Sequence, residues 1–463
     1  MSETNFGYRQ ELNRTMSGFS SFAVSFSLIS VLTGIFANFN FGFREVGGWI
    51  LWSWTIVAIG QYLIAMVMAR LSIRFPIAGY GYQWTSRLVN PHFGFFIGWM
   101  LLMQFLTGFP GIAQTAAISI AGFANLDVGE NGIILLTISI IFFVTWIHIR
   151  GIKVASKVND FGVYAELAGV GLLILMLAWV AGNYLPEGFL RISEGVNNET
   201  GFTPQFSSLA LSLLLGTWCL TGFEAAADLA EETNEPEKTV PKAVTQSLLS
   251  AAIAGFLIIA LLILAAGDIR DAQGADNSLI FILERSVGVQ ITSVIMIFVV
   301  ISILACAVAS MATASRLLFS MARDGMLPFS AWLSKVNAKT KTPQSSTWTV
   351  FILSCMAVLL FRRIEVITAV SALASFIGYA GIMYASIRAK ISLVPALALI
   401  WSLVVIAALA IPETAISGID TRHLPALSAL VVLVMGSLVY LLFVRKRLLA
   451  GQAGPPNIQV NKN

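Results

Sequence analysis

Charge is scarce in this chain. Only 11% of its 463 residues are Asp, Glu, Lys or Arg, where a soluble domain carries about a quarter. With 57% hydrophobic residues and a mean hydropathy of +0.82, that scarcity excludes a soluble protein and leaves no room for a soluble domain. Cysteine is limited to Cys219, Cys306 and Cys355, all in apolar segments without paired spacing, which argues against a disulfide framework and against a metal site. Histidine is equally thin: His92, His148 and His423 fall at three separated positions, and no Ser/His/Asp or Cys/His arrangement forms around them. The chain therefore reads as something other than an enzyme, with no cofactor. A formal net charge of +4 without a long basic run argues against a nucleic-acid surface.

Long apolar runs are what the chain has instead. At about 20 apolar residues per span, helices are expected near 17–40, 47–70, 93–122, 131–149, 158–181, 206–229, 242–267, 290–322, 345–361, 365–387, 393–411 and 425–444. That makes an all-α membrane protein of twelve spans, in contact with lipid. The first span lacks a small-residue cleavage site and reads as a retained helix. The hydrophilic connections near 182–205 and 268–289 are loop sized, and the Gly/Pro/Asn tail from Gly451 reads as disordered. Placing the N-terminus inside puts most of the 28 Lys and Arg residues on the cytoplasmic side. Both termini are then cytoplasmic, and the protein sits in the cell membrane.

Two of these spans are interrupted at matching places. Leu32-Thr33-Gly34-Ile35 lies inside the first, and Leu220-Thr221-Gly222-Phe223 inside the sixth. Glycine weakens a helix, and in hydrocarbon the freed amides and carbonyls need partners that a solute or ion can provide. A half-helix N-terminus suits a carboxylate, and the preceding half leaves carbonyls for an ammonium or a cation, so an amino acid zwitterion fits the pair. Ser30 and Thr33 can line such a site or simply bond back to helix carbonyls. Trp218, just before the second break, can be ordinary bulk or a gate over bound solute. The peptide Leu106-Thr107-Gly108-Phe109 repeats the same letters in the third span and reads as packing, as do Gly94, Gly98, Gly378 and Gly381. Trp49, Trp52 and Trp54 read as anchors at the membrane interface.

Charges inside the spans carry more information, since each costs roughly 2.5–3.5 kcal/mol at mid-membrane. Two carboxylates are interior: Glu166 in the fifth span, and Glu224, two residues after Gly222. Each can be structural, bonded to a neighbouring helix, or functional. Asp228 lies near the cytoplasmic end, where water reaches it.

The stretch from Thr221-Gly222-Phe223-Glu224 through Glu231-Glu232-Thr233-Asn234-Glu235-Pro236 to Pro241-Lys242-Ala243 resembles the sixth-helix signature of the amino acid-polyamine-organocation (APC) superfamily, nearest its amino acid/choline branch. Phe75-Pro76-Ile77-Ala78-Gly79-Tyr80-Gly81 and Ser315-Arg316-Leu317-Leu318-Phe319 through Asp324-Gly325-Met326-Leu327-Pro328 agree with it. The resemblance implies a LeuT-like inverted five-plus-five repeat: 1–16 a cytoplasmic segment, 17–181 the first five helices, 206–387 the second five, 393–444 helices 11 and 12, and 445–463 a cytoplasmic tail, with helices 1 and 6 broken. It places the carboxylate-binding turn on Leu32, Thr33, Gly34 and Ile35, the carbonyls that receive the substrate amine on Ser30, Trp218 and Thr221, and the gate on Trp218. Leu32 stands where the family usually has glycine, and Arg70 where many members have Glu. Lys157-Val158-Asn159-Asp160 resembles the entry to a fifth helix whose later lysine titrates in some members, and Glu166 falls at that lysine. Glu166 is then a coupling or cation site for a proton or sodium, lined by Ser310 and Thr313.

These readings together expect a secondary transporter that moves an amino acid or related small amine by alternating access, as proton-coupled symport or exchange. The alternatives are a polyamine, choline or gamma-aminobutyrate carrier, since Glu224 can face a cation, and a membrane solute sensor that does not transport.

Overall fold

A computed structural model describes residues 6–124, 126–182, 206–362, 364–390, 393–410 and 424–456. Apart from turns and connections the described residues are helical; their sole β-type pairing is one isolated bridge between Met16 and Thr233. Among them nine helical stretches are long and apolar enough to cross a membrane, and Val394–Ala410 is a shorter apolar helix. The elements are α1 (Gly18–Ile29), α2 (Val31–Val46), α3 (Ile50–Arg74), α4 (Tyr80–Leu88), α5 (Pro91–Phe123), α6 (Gly129–Ile149), α7 (Ile152–Ala181), α8 (Phe206–Cys219), α9 (Ala225–Asp228), α10 (Pro236–Ala265), α11 (Ile269–Gly274), α12 (Ser278–Val287), α13 (Val289–Arg323), α14 (Ser330–Leu333), α15 (Gln344–Phe361), α16 (Ile364–Arg388), α17 (Val394–Ala410), α18 (Leu424–Val439) and α19 (Arg445–Leu449).

In a bilayer the lipid is as apolar as the side chains, so helices associate through close packing rather than through escape from water. Small residues make that contact here. A methyl group on Gly378 would lie 2.3 Å from Leu101 Cδ2 and one on Gly381 2.1 Å from Ile97 Cδ1, so α16 rides directly on α5. Gly255 on α10 receives the Trp54 ring of α3 in the same way. Trp54 is 1% exposed and its indole N–H donates to the Ala252 carbonyl at 3.0 Å. It is therefore a buried helix–helix contact, not the interface anchor expected from its neighbours; Trp52, two residues earlier, faces outward. The outer faces of α6, α7, α15 and α18 carry exposed Leu, Phe, Trp and Val, as lipid contact requires.

The connection at 268–289, expected as a loop, folds into α11 and α12, each started by a side-chain cap, Asp268 accepting from Arg270 N–H at 2.8 Å and Asn277 from Ile280 N–H at 3.1 Å. The tail also departs from expectation: Gly454 N–H donates to the Asp324 carbonyl at 2.8 Å, and the Arg447 guanidinium donates to the carbonyls of Gly325 and Leu327. Residues 451–456 are held because the turn after α13 leaves carbonyls that need donors. The connection 183–205 lies outside the described residues.

Both described terminal segments meet at that turn. Tyr8 donates to Asp324 Oδ1 at 2.8 Å, and Tyr82 and Gln83 donate to Oδ2 at 2.8 and 2.9 Å, while the Arg323 guanidinium lies 3.7 Å from the Tyr8 ring centre. Burial, reinforced by the Asp324 carboxylate, holds the Tyr8 phenol well above its ordinary range, so the hydroxyl remains a donor. Asp228, expected near water, is fully buried at the same end of the bundle and accepts from Gly79 N–H at 2.6 Å.

A cavity between two helix breaks

The first break is one residue wide. Ser30 has φ 37° and ψ 91°, a backbone state that costs a non-glycine residue free energy and tends to mark functional sites. Its N–H ends α1 by donating to the Phe26 carbonyl at 2.9 Å, and its hydroxyl starts α2 by accepting from Thr33 N–H at 3.2 Å, as a serine N-cap does. The hydroxyl also lies 2.5 Å from Thr33 Oγ1 and 3.0 Å from Ser302 Oγ of α13. Leu32, Thr33, Gly34 and Ile35 are thus the regular first turn of α2 rather than an open loop. A methyl on Gly34 would meet Cys219 Sγ at 2.2 Å, so its glycine is required by the approach of α8.

The second break is wider and runs from Leu220 to Glu224 between α8 and α9. Gly222 has φ 105°, and a Cβ there would lie 2.6 Å from Leu28 Cγ; only glycine satisfies both the turn and the neighbouring end of α1. Glu224 organises this segment. It accepts from Gly222 N–H at 3.1 Å, Gln104 Nε2 at 2.9 Å and Tyr379 Oη at 2.7 Å. Ser25 ties the two breaks together, donating to the Phe223 carbonyl at 2.7 Å and accepting from Ala226 N–H at 3.0 Å.

A cavity of about 40 Å3 lies between the breaks. Of the residues the sequence pointed to, Thr33, Trp218, Thr221, Gly222 and Ser310 line it. Ser30, Leu32, Gly34 and Ile35 do not, since the Ser30 hydroxyl is turned to Thr33 and Ser302, Leu32 packs towards Gly169 of α7 and Gly34 towards α8. Thr313 is turned into its own helix, donating to the Ala309 carbonyl at 3.1 Å. Glu166 is fully buried behind the first break. Ser30, Val31, Leu32 and Ser302 lie near its carboxyl, and neither oxygen makes a hydrogen bond to them or to any other group. Ser302 therefore stands where Ser310 and Thr313 were expected, about two helical turns from Ser310 along α13.

Sequence reasoning missed Gln104, Gly108, Cys306, Ser371 and Ser375, which complete the wall with Leu28, Ile29, Phe105 and Ile112. Gln104, Ser371 and Ser375 are polar residues within apolar spans, and weighing neutral polar groups alongside charges would have found them. Gly108, assigned to packing, does both jobs: it faces the cavity and closely approaches Ser371.

These features define a multi-pass helical membrane protein with a small cavity, lined by polar and apolar side chains, where two helices are interrupted. The chain belongs to the amino acid permease family, whose model matches residues 16–438; it is an APC superfamily permease, a carrier class rather than an enzyme class. It is 26% identical to the amino-acid permease BAT1 of Arabidopsis thaliana over 81% of this chain and 78% of that protein. It is 27% identical to an uncharacterized amino-acid permease of Schizosaccharomyces pombe over 81% and 70%. It is also 25% identical to the thiamine transporter thi9 of Schizosaccharomyces pombe over 76% and 66%.

Proposed function

We propose that this protein is a secondary transporter that moves an amino acid or a related small amine by alternating access, with the cavity between the breaks as the substrate site. The supporting observation is that two interruptions far apart in sequence, at Ser30 and at Gly222, converge on one cavity whose wall carries hydroxyl and amide groups among apolar side chains, Ile29 and Thr33 lining it from the first break and Thr221 and Gly222 from the second. At about 40 Å3 the cavity is too small for an amino acid without movement of its walls, as befits a carrier that closes around its site. The thiamine carrier among the relatives and the buried Glu224 favour a small amine as the second reading.

In this reading the chain has twelve spans: 17–181 and 206–387 form an inverted five-plus-five repeat, helices 11 and 12 occupy 393–444, and the segments 1–16 and 445–463 are cytoplasmic. The clustering of Tyr8, Arg87, Arg323 and the tail around Asp324 would then close the inner side. Trp218 is the gate. Uptake into proteoliposomes tests the site: Thr33→Trp fills the cavity and Trp218→Ala opens its wall, and each is expected to lower initial uptake at least tenfold. Native rates in both variants would refute the assignment.

Glu166 is the proposed coupling residue, for a proton or a sodium ion, with the Ser30 and Ser302 hydroxyls as its neighbours. Glu166→Gln keeps the shape and removes the ionisable group. Its uptake, measured with proton and sodium gradients imposed separately, is expected to lose dependence on one of them; full retention of both dependences would exclude the role.

A further inference from the structure

The turn after α13 and the short helix α19 meet at one end of the bundle. Arg447 on α19 donates to the carbonyls of Gly325 and Leu327 at 3.2 and 3.0 Å, and the segment beyond it, from Gly451 to Gly454, shares a groove with Ser330, Ala331 and Ser334 of the α14 region. Arg447 follows closely on the last long apolar run, which reaches Val444. The turn and α14 therefore lie at the level where hydrocarbon gives way to lipid headgroups.

That level accounts for side chains that the packing of the bundle does not. Phe329 is 81% exposed and has φ 56°, a left-handed state that bulky residues rarely adopt. Its backbone is fixed on both sides: its carbonyl starts α14 by accepting from Trp332 and Leu333 N–H at 2.9 and 3.1 Å, while the Ser330 hydroxyl accepts from Leu327 N–H at 3.2 Å and donates to the Leu327 carbonyl at 2.6 Å. Glycine would hold the same turn with less strain, so the phenyl ring contributes nothing to the turn itself. Trp332, three residues on, is 49% exposed, and Leu449 of α19 is 72% exposed.

The charges of these segments have one sign. Residues 325–362 and 424–456 contain no Asp or Glu, whereas Lys335, Arg445 and Lys446 are exposed and form no ion pair among the described residues. Lys335 directly follows α14, its N–H donating to the Trp332 carbonyl at 3.2 Å. Asp324, the nearest carboxylate in sequence, is buried and already accepts from Tyr8, Tyr82 and Gln83. Exposed apolar side chains among unpaired cations match a surface that is apolar on one side and anionic on the other. We propose that Phe329, Trp332 and Leu449, with Lys335, Arg445 and Lys446, form a docking surface for an anionic phospholipid, the apolar side chains entering the acyl boundary and the cations holding the headgroup. Lipid held there steadies the turn that carries Asp324, whichever solute the carrier moves.

The experiment titrates phosphatidylglycerol or phosphatidylcholine of the same acyl chains into the purified full-length protein in detergent micelles, and reads the lipid fraction that gives the half-maximal rise in melting temperature. For the native protein that fraction is expected to be at least tenfold lower for phosphatidylglycerol, an advantage that added salt should erode. Two variants separate the two halves of the surface. Replacing Lys335, Arg445 and Lys446 together by Gln removes exposed charges only, and is expected to bring phosphatidylglycerol to the value of phosphatidylcholine, each cation contributing about fivefold. Phe329→Gly relieves the left-handed backbone, so without lipid it should melt no lower than native, yet it should weaken both lipids alike by several-fold. Equal values for the two lipids in the native protein, or a phosphatidylglycerol preference that survives the triple replacement, overturns the proposal. A native protein that runs as a dimer on size exclusion and becomes a monomer with Phe329→Gly also overturns it, since the surface would then be covered by a second copy.

Discussion

Arg316→Met is expected to destabilise the protein by about 3–5 kcal/mol, the cost of leaving one member of a buried ion pair without its partner. Arg316 on α13 is 1% exposed and grips Glu232 with two N–H groups, Nε to Oε2 at 2.8 Å and Nη2 to Oε1 at 2.9 Å, with Nη1 donating to Ser315 Oγ at 3.0 Å. Glu232 lies in the short turn after α9, and its backbone carbonyl accepts the N–H groups of Thr15 and Met16. The pair therefore joins α13, the segment that follows the second break, and the chain entering α1. Removing Arg316 alone strands a carboxylate where no water reaches. Arg316→Met with Glu232→Gln removes both charges and is expected to recover most of the loss, since a buried pair adds little net stability over neutral side chains of similar size. By contrast, disrupting Lys238–Glu235, whose side chains are 77% and 70% exposed, should be almost silent. Thermal unfolding in detergent, followed by size exclusion, decides the matter. A single variant that melts within a degree or two of native, or a double variant no better than the single, would contradict this account.

The part of the molecule legible in sequence was the part set by the solvent. Long apolar runs gave membrane helices because a spanning backbone must satisfy its own hydrogen bonds, and the chain's helices follow the apolar runs closely. The second break was readable for a local reason: glycine in an apolar helix, followed two residues later by a buried carboxylate, marks backbone that needs a partner, and Glu224 supplies it to Gly222 itself. The first break was placed slightly too far along. Gly34 drew attention as the weak residue, yet its role is to admit Cys219, and the backbone departs from the helix at Ser30 because a serine hydroxyl can start the next helix. Facing direction was not legible. Leu106-Thr107-Gly108 carries the same letters as both breaks, but α5 runs through it unbroken and its glycine lines the cavity. Trp54, Asp228 and the tail were misread for a related reason: each was assigned to water or the membrane interface from its distance along the chain, and each has a partner supplied by a residue remote in sequence.

Gly108→Leu should abolish measurable uptake, a fall of about a hundredfold or more, while leaving a folded protein. Gly108 stands on the wall shared with Thr33, Trp218, Thr221 and Ser371, and its first side-chain carbon would lie 2.8 Å from Ser371 Oγ and 3.8 Å from Ser371 Cβ. The hydroxyl is the movable end of its side chain, so Gly108→Ala needs a small shift and should reduce uptake only partly. Because Gly108 lines the cavity, a leucine there would reach into its free space of about 40 Å3 and fill it. Two opposing effects govern stability. Crowding costs about 1–3 kcal/mol and replacing glycine inside a helix returns up to about 1 kcal/mol, so the fold is expected to survive with a modest net loss, which the melting temperature reports separately from transport. Gly122 provides the control on the same helix: nothing lies within 4 Å of a side chain added there, and Gly122→Leu should transport at the native rate. A hundredfold loss would correspond to about 2.7 kcal/mol in the effective barrier or affinity, more than any general loosening of α5 could cause without lowering the melting temperature in parallel. Proteoliposome uptake and thermal unfolding measured on the same preparations separate the two effects. If Gly108→Leu transports as well as Gly122→Leu, the solute does not pass between the two breaks, and the route must lie elsewhere in the bundle.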